Sequence, residues 1–204
     1  MSHATAALRA LMLMLAGVAL LACSPAAPKF KASDVTGASF GRDFALIDHT
    51  GAKRSLADYR GKVVVVFFGF MQCPDVCPTT LADLAETMRR LGADAERVAV
   101  LFVTVDPERD TPDLLAKYVP AFNPRFVGLS GDAAAIERTA KEFKVLYQKQ
   151  PGKSPGSYSM DHSAGSFVFD PQGRLRLYVS YGQGADVFTH DLRALLNESS
   201  VPSR

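Results

Sequence analysis

Between residues 62 and 105 the chain carries two long apolar runs separated by an amphipathic stretch. Lys62 to Phe68 reads KVVVVFF and Val98 to Val105 reads VAVLFVTV. Continuous β-branched and aromatic runs of this length predict central strands covered on both faces. Between them, Thr79 to Leu91 places Leu81, Leu84, Ala85, Met88 and Leu91 at helical spacing and stops at Gly92, a residue suited to ending a helix. Thr111-Pro112 opens a second helix reaching about Val119, and Asp132 to Phe143 aligns Ala133, Ile136, Ala140 and Phe143 along a third. Upstream, Phe44 to Asp48 with the following His49-Thr50-Gly51 predicts a strand and a turn. Ser166 to Phe169, then Asp170 to Gly173, then Leu175 to Val179 predicts strand, turn and strand, with a last helix over Val187 to Asn197. The polar stretch Gln148 to Ser157, which carries Gly and Pro, predicts an exposed loop or loose hairpin.

Strands alternating with helices, ending in a hairpin and a helix, predict an α/β domain with a mixed central sheet flanked by helices. The order β-α-β-α-β-β-α, with a cysteine pair after the first central strand, matches a thioredoxin-like layout.

The N-terminal end departs from this pattern. Residues 1–22 hold a single charge, Arg9, followed by an apolar run from Ala10 to Ala22. That run is of signal-peptide length and falls short of the roughly 20 apolar residues a membrane-spanning helix needs. It ends in Leu20-Leu21-Ala22-Cys23, which resembles a bacterial lipobox, so Cys23 is expected to be the acylated first residue of an exported chain. Residues 23–38 are small, polar and Pro-containing and predict a flexible tether. The folded domain is then expected over 39–200. Residues 1–22 contain one of the 23 Lys+Arg and none of the 21 Asp+Glu, so residues 23–204 carry a net charge near +1. That balance argues against nucleic acid as a partner and against a polybasic membrane footprint.

Setting Cys23 aside leaves Cys73 and Cys77, four apart in the segment Gly69-Phe70-Met71-Gln72-Cys73-Pro74-Asp75-Val76-Cys77-Pro78. Such a pair in an oxidising compartment is a disulfide, a redox couple or a metal site, and it cannot staple distant parts of the chain. Its place between a buried strand and a helix favours thiolate, which disulfide exchange and metal ligation both require. The spacing leans towards a metal. Residues i and i+4 on one helical face have Cβ atoms about 5–6 Å apart, wider than the roughly 3.5–4.5 Å of a relaxed disulfide.

The segment GFMQCPDVCP resembles the signature of the Sco family, also called SenC, whose members help assemble the copper site of cytochrome c oxidase. The resemblance continues through Val105-Asp106-Pro107-Glu108-Arg109-Asp110-Thr111-Pro112, through Asp161-His162-Ser163, and into Phe167-Val168-Phe169-Asp170 with Gly173 in the turn. It implies a thioredoxin-like fold and one copper ion per chain, held by Cys73, Cys77 and His162. Soft thiolates suit Cu(I), and an added imidazole lets the same set hold Cu(II). The implied partners are the oxidase subunit with the dinuclear copper site and a further periplasmic copper chaperone, with the membrane reached through the lipid on Cys23.

Asp161 is a candidate to orient the His162 ring, and Asp106, at the end of a buried strand, is a candidate outer residue of the site or a turn former. Met71 and Met160 flank the ligand segments and are expected to fill apolar gaps. His49, in a turn, and His190, on the last helix, are expected to be ordinary surface or satisfied residues. A second function class is an exported thiol–disulfide oxidoreductase using Cys73 and Cys77 as a redox disulfide. Three residues between the cysteines, and a histidine in the segment facing them, count against it. Peroxidase chemistry has less support, since no Thr-x-x-Cys arrangement is present.

Overall fold

The computed structural model describes residues 29–198. The expected leader, residues 1–22, and the expected acylation site, Cys23, lie outside the described residues. No helix among the described residues is long and apolar enough to cross a membrane.

Among the described residues, ten strands and four α-helices follow one another along the chain: β1 (Ser33–Asp34), β2 (Leu46–Asp48), β3 (Lys53–Arg54), β4 (Val63–Gly69), α1 (Val76–Leu91), β5 (Val98–Thr104), α2 (Pro112–Phe122), β6 (Val127–Ser130), α3 (Ala133–Glu142), β7 (Tyr147–Pro151), β8 (Tyr158–His162), β9 (Ser166–Phe169), β10 (Leu175–Val179) and α4 (Gly184–Glu198). Eight of the strands form one mixed sheet in the order β1-β10-β9-β4-β5-β6-β2-β3, and β7 and β8 form a separate two-stranded sheet. β4, β5 and β6 are parallel neighbours, and β9 runs antiparallel to β4. This is the thioredoxin-like α/β fold with a mixed central sheet that the sequence predicts.

The two apolar runs form the centre. Every residue of β4 and of β5 is buried, as strands covered on both faces must be. One face of the sheet packs Phe68, Phe167 and Phe169 around Phe143, with ring centroids 5.2, 5.3 and 6.1 Å from it. On the other face Phe102 lies between Phe67 and Tyr118, and α1 packs against α4, where the Thr87 hydroxyl donates to the Ala185 carbonyl at 3.4 Å. Gly92, with φ +60, ends α1 in the conformation glycine adopts without cost.

Three expectations need correction. β6 goes unmarked in the hydropathy pattern because VGLS is short and contains Gly128. That glycine admits α2, since a Cβ there would lie 3.0 Å from Leu115 Cβ. Helix α1 starts at Val76 rather than Thr79. Of the two forms expected for the polar stretch after α3, the structure has the hairpin, with β7 and β8 paired from Tyr147↔His162 to Pro151↔Tyr158. Residues 29–38, expected from composition to belong to a flexible tether, are laid along the domain. Asp191, 1% exposed, accepts the Lys31 amide at 2.9 Å and the Ala32 amide at 2.8 Å. β1 then adds to the sheet beside β10. A buried carboxylate collecting backbone amides outweighs the disordering composition locally, and composition alone cannot reveal it.

Candidate metal centre

The carboxyl ends of β4 and β5 face the same edge of the sheet, where ligand sites of open α/β sheets gather. β4 closes at Gly69, whose carbonyl accepts the Val105 amide at 2.8 Å. The chain then makes a tight turn in which the Cys73 amide donates to the Phe70 carbonyl at 3.2 Å. Asp110, also 1% exposed, fixes this turn from below: its Oδ2 accepts the Met71 amide at 3.0 Å and the Thr104 hydroxyl at 2.7 Å. Burial pushes the Asp110 carboxyl up, against the pull of those two donors.

Cys73 stands in the turn before the helix, and Cys77 is the second residue of α1. The pair therefore does not share a helical face, which removes the premise of the i, i+4 argument. The Cys77 amide, one of the free donors of the helix start, instead points at Cys73 Sγ at 3.4 Å. Both thiols are free, Cys73 partly exposed and Cys77 buried. Burial pushes the Cys77 thiol well above the ordinary range, overriding the hydrogen bond with Phe70. The thiolate that the helix start was expected to favour is thus opposed by desolvation, and a cation beside the sulfur is what would restore it. Gly69 makes room for this sulfur, since a Cβ there would lie 2.8 Å from Cys77 Sγ.

His162 ends β8 and comes to the pair from the opposite side. Its Nε2 lies 3.6 Å from Cys77 Sγ. Its Nδ1 lies 3.0 Å from the Ser163 carbonyl, which can only accept, so Nδ1 carries the proton and Nε2 presents its lone pair. The Phe70 ring meets the imidazole edge-on, with centroids 5.9 Å apart and planes at 89°. Burial lowers the His162 pKa, which favours the neutral ring, the form that ligates. The two sulfurs and Nε2 all lie within 4.8 Å of one another. Three donors on one ion at about 2.3 Å (sulfur) and about 2.0–2.1 Å (nitrogen) stand roughly 4 Å apart in a trigonal plane, close to the spacing here, so these residues could hold a single metal ion.

The other sequence candidates fall elsewhere. The Ser163 carbonyl, not Asp161, orients the His162 ring, because alternation along β8 turns Asp161 to the far face. There its Oδ2 accepts from Gln150 Nε2 at 2.8 Å. Asp106 is buried and bonds neither the cysteines nor the histidine. It accepts from Arg109 Nε and, at 2.8 Å, from the Tyr158 hydroxyl. Met160 is buried in the core and Met71 packs against it. His49 Nδ1 accepts the Gly128 amide, and His190 bonds Asp191. The residues that sequence reasoning passed over are Gly69, Phe70, Asp110, Arg109 and Tyr158. Arg109 and Asp110 lie inside the VDPERDTP segment, which marked the place without revealing the contacts.

Comparison with known proteins agrees with this geometry. The family profile described as SCO1/SenC matches residues 32–197, nearly all of the described chain. The chain belongs to the SCO1/SenC family. Among curated SCO1/SenC relatives it is 40% identical over 153 residues to the mitochondrial SCO2 homolog of Bos taurus, covering 74% of this chain and 58% of that protein. It spans less than two thirds of the length of the first such relatives. Of solved Sco structures, Bradyrhizobium japonicum ScoI with copper bound is 37% identical and superposes with TM-score 0.70, covering 76% of this chain and 98% of the other. Apo Sco1 from Thermus thermophilus is 42% identical with TM-score 0.74, covering 83% and 99%.

Proposed function

We propose that this SCO1/SenC protein binds one copper ion through Cys73 Sγ, Cys77 Sγ and His162 Nε2 and delivers it to the dinuclear copper site of cytochrome c oxidase. The observation that carries the reading is the convergence of two sulfurs and one lone-pair nitrogen within 4.8 Å. Copper is the fitting cargo, because thiolates take Cu(I) and the imidazole extends the set to Cu(II). Three donors leave a further position open to an incoming ligand, and such a site can pass its metal on where a closed four-ligand site retains it. The copper-bound relative from Bradyrhizobium japonicum supports the choice. We infer further that the chain is exported and held at the membrane through a lipid on Cys23, facing the periplasm, and that it meets another copper chaperone there. The Leu20-Leu21-Ala22-Cys23 sequence supports this placement.

Copper titration tests the proposal. One equivalent of Cu(II) should bind with a sulfur-to-copper charge-transfer band, and His162→Ala should weaken it sharply. Equal binding by that variant sinks the three-donor site. A thiol–disulfide role is favoured by one asymmetry: Cys73 is accessible while Cys77 lies buried behind it. Cys73 can attack a partner disulfide, and Cys77 can then displace it, leaving a Cys73–Cys77 disulfide and a reduced partner pair. The two roles combine, because a cysteine pair must be reduced before it accepts copper. Copper-independent reduction of insulin that persists in His162→Ala would make the thiol role primary.

A further inference from the structure

The ligands of the centre are attached to the fold in two different ways. Cys73 and Cys77 sit at the β4–α1 junction, in the rigid core. His162 sits on the β7–β8 hairpin, which shares no ladder with the main sheet. The Arg109 side chain bridges the two parts. Arg109 donates through Nε to Asp106 Oδ2 and through Nη1 to Gln72 Oε1 at 2.9 Å and to the Tyr158 carbonyl at 2.8 Å. Its guanidinium carbon lies 3.6 Å from the centroid of the Tyr158 ring, and the Tyr158 hydroxyl returns to Asp106 Oδ1 at 2.8 Å. Gln72 is the residue before Cys73. Tyr158 begins the strand that His162 ends, about 13 Å away at roughly 3.3 Å per residue.

A single planar cation therefore holds the neighbour of one ligand, the strand of another, and the buried Asp106 just beyond β5. Its remaining nitrogen, Nη2, is buried without a partner among the described residues. Met160 also anchors the hairpin by burying its side chain in the core, and the other charged tie on this flank is weaker. The Lys149–Glu108 pair is exposed at both ends, and such pairs hold little. Lysine could not take Arg109's place, because an ammonium has no flat face to stack on Tyr158 and no fork to span three acceptors.

We propose that Arg109 is a positioning residue for the metal centre, a strut that keeps the His162-bearing hairpin over the cysteine pair so that the third donor is in place. With the strut released, the sulfurs keep their positions and His162 withdraws with its hairpin. Asp106, as the strut's foot, acts through Arg109 and not on the metal. This inference rests on the three-donor copper reading above.

The test uses the full chain as wild type, Arg109→Lys, Tyr158→Phe, His162→Ala and the Arg109→Lys/His162→Ala double variant. In copper-free protein, amide hydrogen exchange over residues 147–162 should be faster in Arg109→Lys than in wild type, while exchange in β4 and β5 is unchanged. Tyr158→Phe keeps the stacked ring and loses only its bond to Asp106, so its hairpin exchange should fall between the two. Cu(II) affinity of Arg109→Lys should drop roughly 10- to 100-fold, the usual effect of losing a residue that orients a ligand. The double variant should bind Cu(II) no more weakly than His162→Ala, because a residue acting through His162 has nothing left to act on. Unchanged hairpin exchange in Arg109→Lys overturns the strut. So does a loss of affinity that adds in full to that of His162→Ala, which would make Arg109 a contributor to fold stability alone. If wild type and His162→Ala bind copper equally, the copper reading fails, and the exchange measurement still decides whether Arg109 holds the hairpin.

Discussion

Replacing Gly69 by alanine puts a methyl carbon 2.8 Å from Cys77 Sγ and 2.8 Å from Phe102 Cε2. Optimal non-bonded carbon contacts lie at about 3.5–4.0 Å, so each neighbour must retreat by close to 1 Å. Neither has room. Cys77 and Phe102 are both fully buried, and the Phe102 ring is held between Phe67 and Tyr118 with centroids 5.7 and 6.0 Å away. Overpacking of this kind costs about 1–3 kcal/mol. The stiffer alanine chain recovers about 0.4–1 kcal/mol by restricting the unfolded state. A net loss of about 0–2.6 kcal/mol is expected, with Tm lowered by about 2–4 °C for each kcal/mol lost in a chain of this size. Denaturant unfolding of the copper-free protein with its thiols reduced reads this directly. The same clash moves a ligand sulfur, so Cu(II) affinity and the charge-transfer band should change as well. Gly128→Ala is the control: its Cβ would press on Leu115 and Val119, 3.0 and 3.2 Å away. It should lower stability and leave the copper spectrum alone. Wild-type stability together with an unaltered spectrum in Gly69→Ala would refute the close packing of strand against sulfur.

Two further outcomes rest on burial and charge. Iodoacetamide applied to the copper-free protein should modify Cys73 well before Cys77, because Cys77 is inaccessible and burial pushes its thiol up; peptide mapping by mass spectrometry reads the order, and equal rates would contradict the buried sulfur. Burial alone would raise the Asp48 carboxyl, but donors from Thr50, Arg54 and Ala52 outweigh it and hold the group well below its ordinary value of 3.8. Its stabilising effect is therefore complete above about pH 4 and is lost as the pH falls further, when the unfolded chain takes up a proton that the folded one refuses. Asp48→Asn should flatten the acid side of the stability curve below pH 4, and an unchanged slope in acid titration of unfolding would argue against this network.

The centre of the fold was legible because β4 and β5 are long enough to advertise burial by composition alone, and because α1, α3 and α4 carry clear helical stripes. The strands that escaped notice are short or polar. β6 is four residues around a glycine, and β7 and β8, which the sequence marks only as a polar stretch, bury a single position, Met160, between them. β1 depends on Asp191, 159 residues along the chain from Ala32, which no local pattern encodes. The two sulfurs and the imidazole could be named from the motifs, whereas their orientation could not. Asp161 was the natural partner for the ring by adjacency, yet strand alternation gives that task to the Ser163 carbonyl. Arg109 stood in view within VDPERDTP, and only the packing of three separate segments around one guanidinium gives it a role.

The docking of residues 29–38 also bears on how this molecule avoids its own kind. A sheet presents unpaired backbone groups along its outermost strands, and these are a template for another copy. Here both borders are made of two-residue strands, Ser33–Asp34 on one side and Lys53–Arg54 on the other, short and charged. Cutting the chain at residue 39, where composition alone places the start of the domain, would strip away the first border and bare the backbone of β10. Such a fragment would keep the metal ligands and lose its guard against edge-to-edge aggregation.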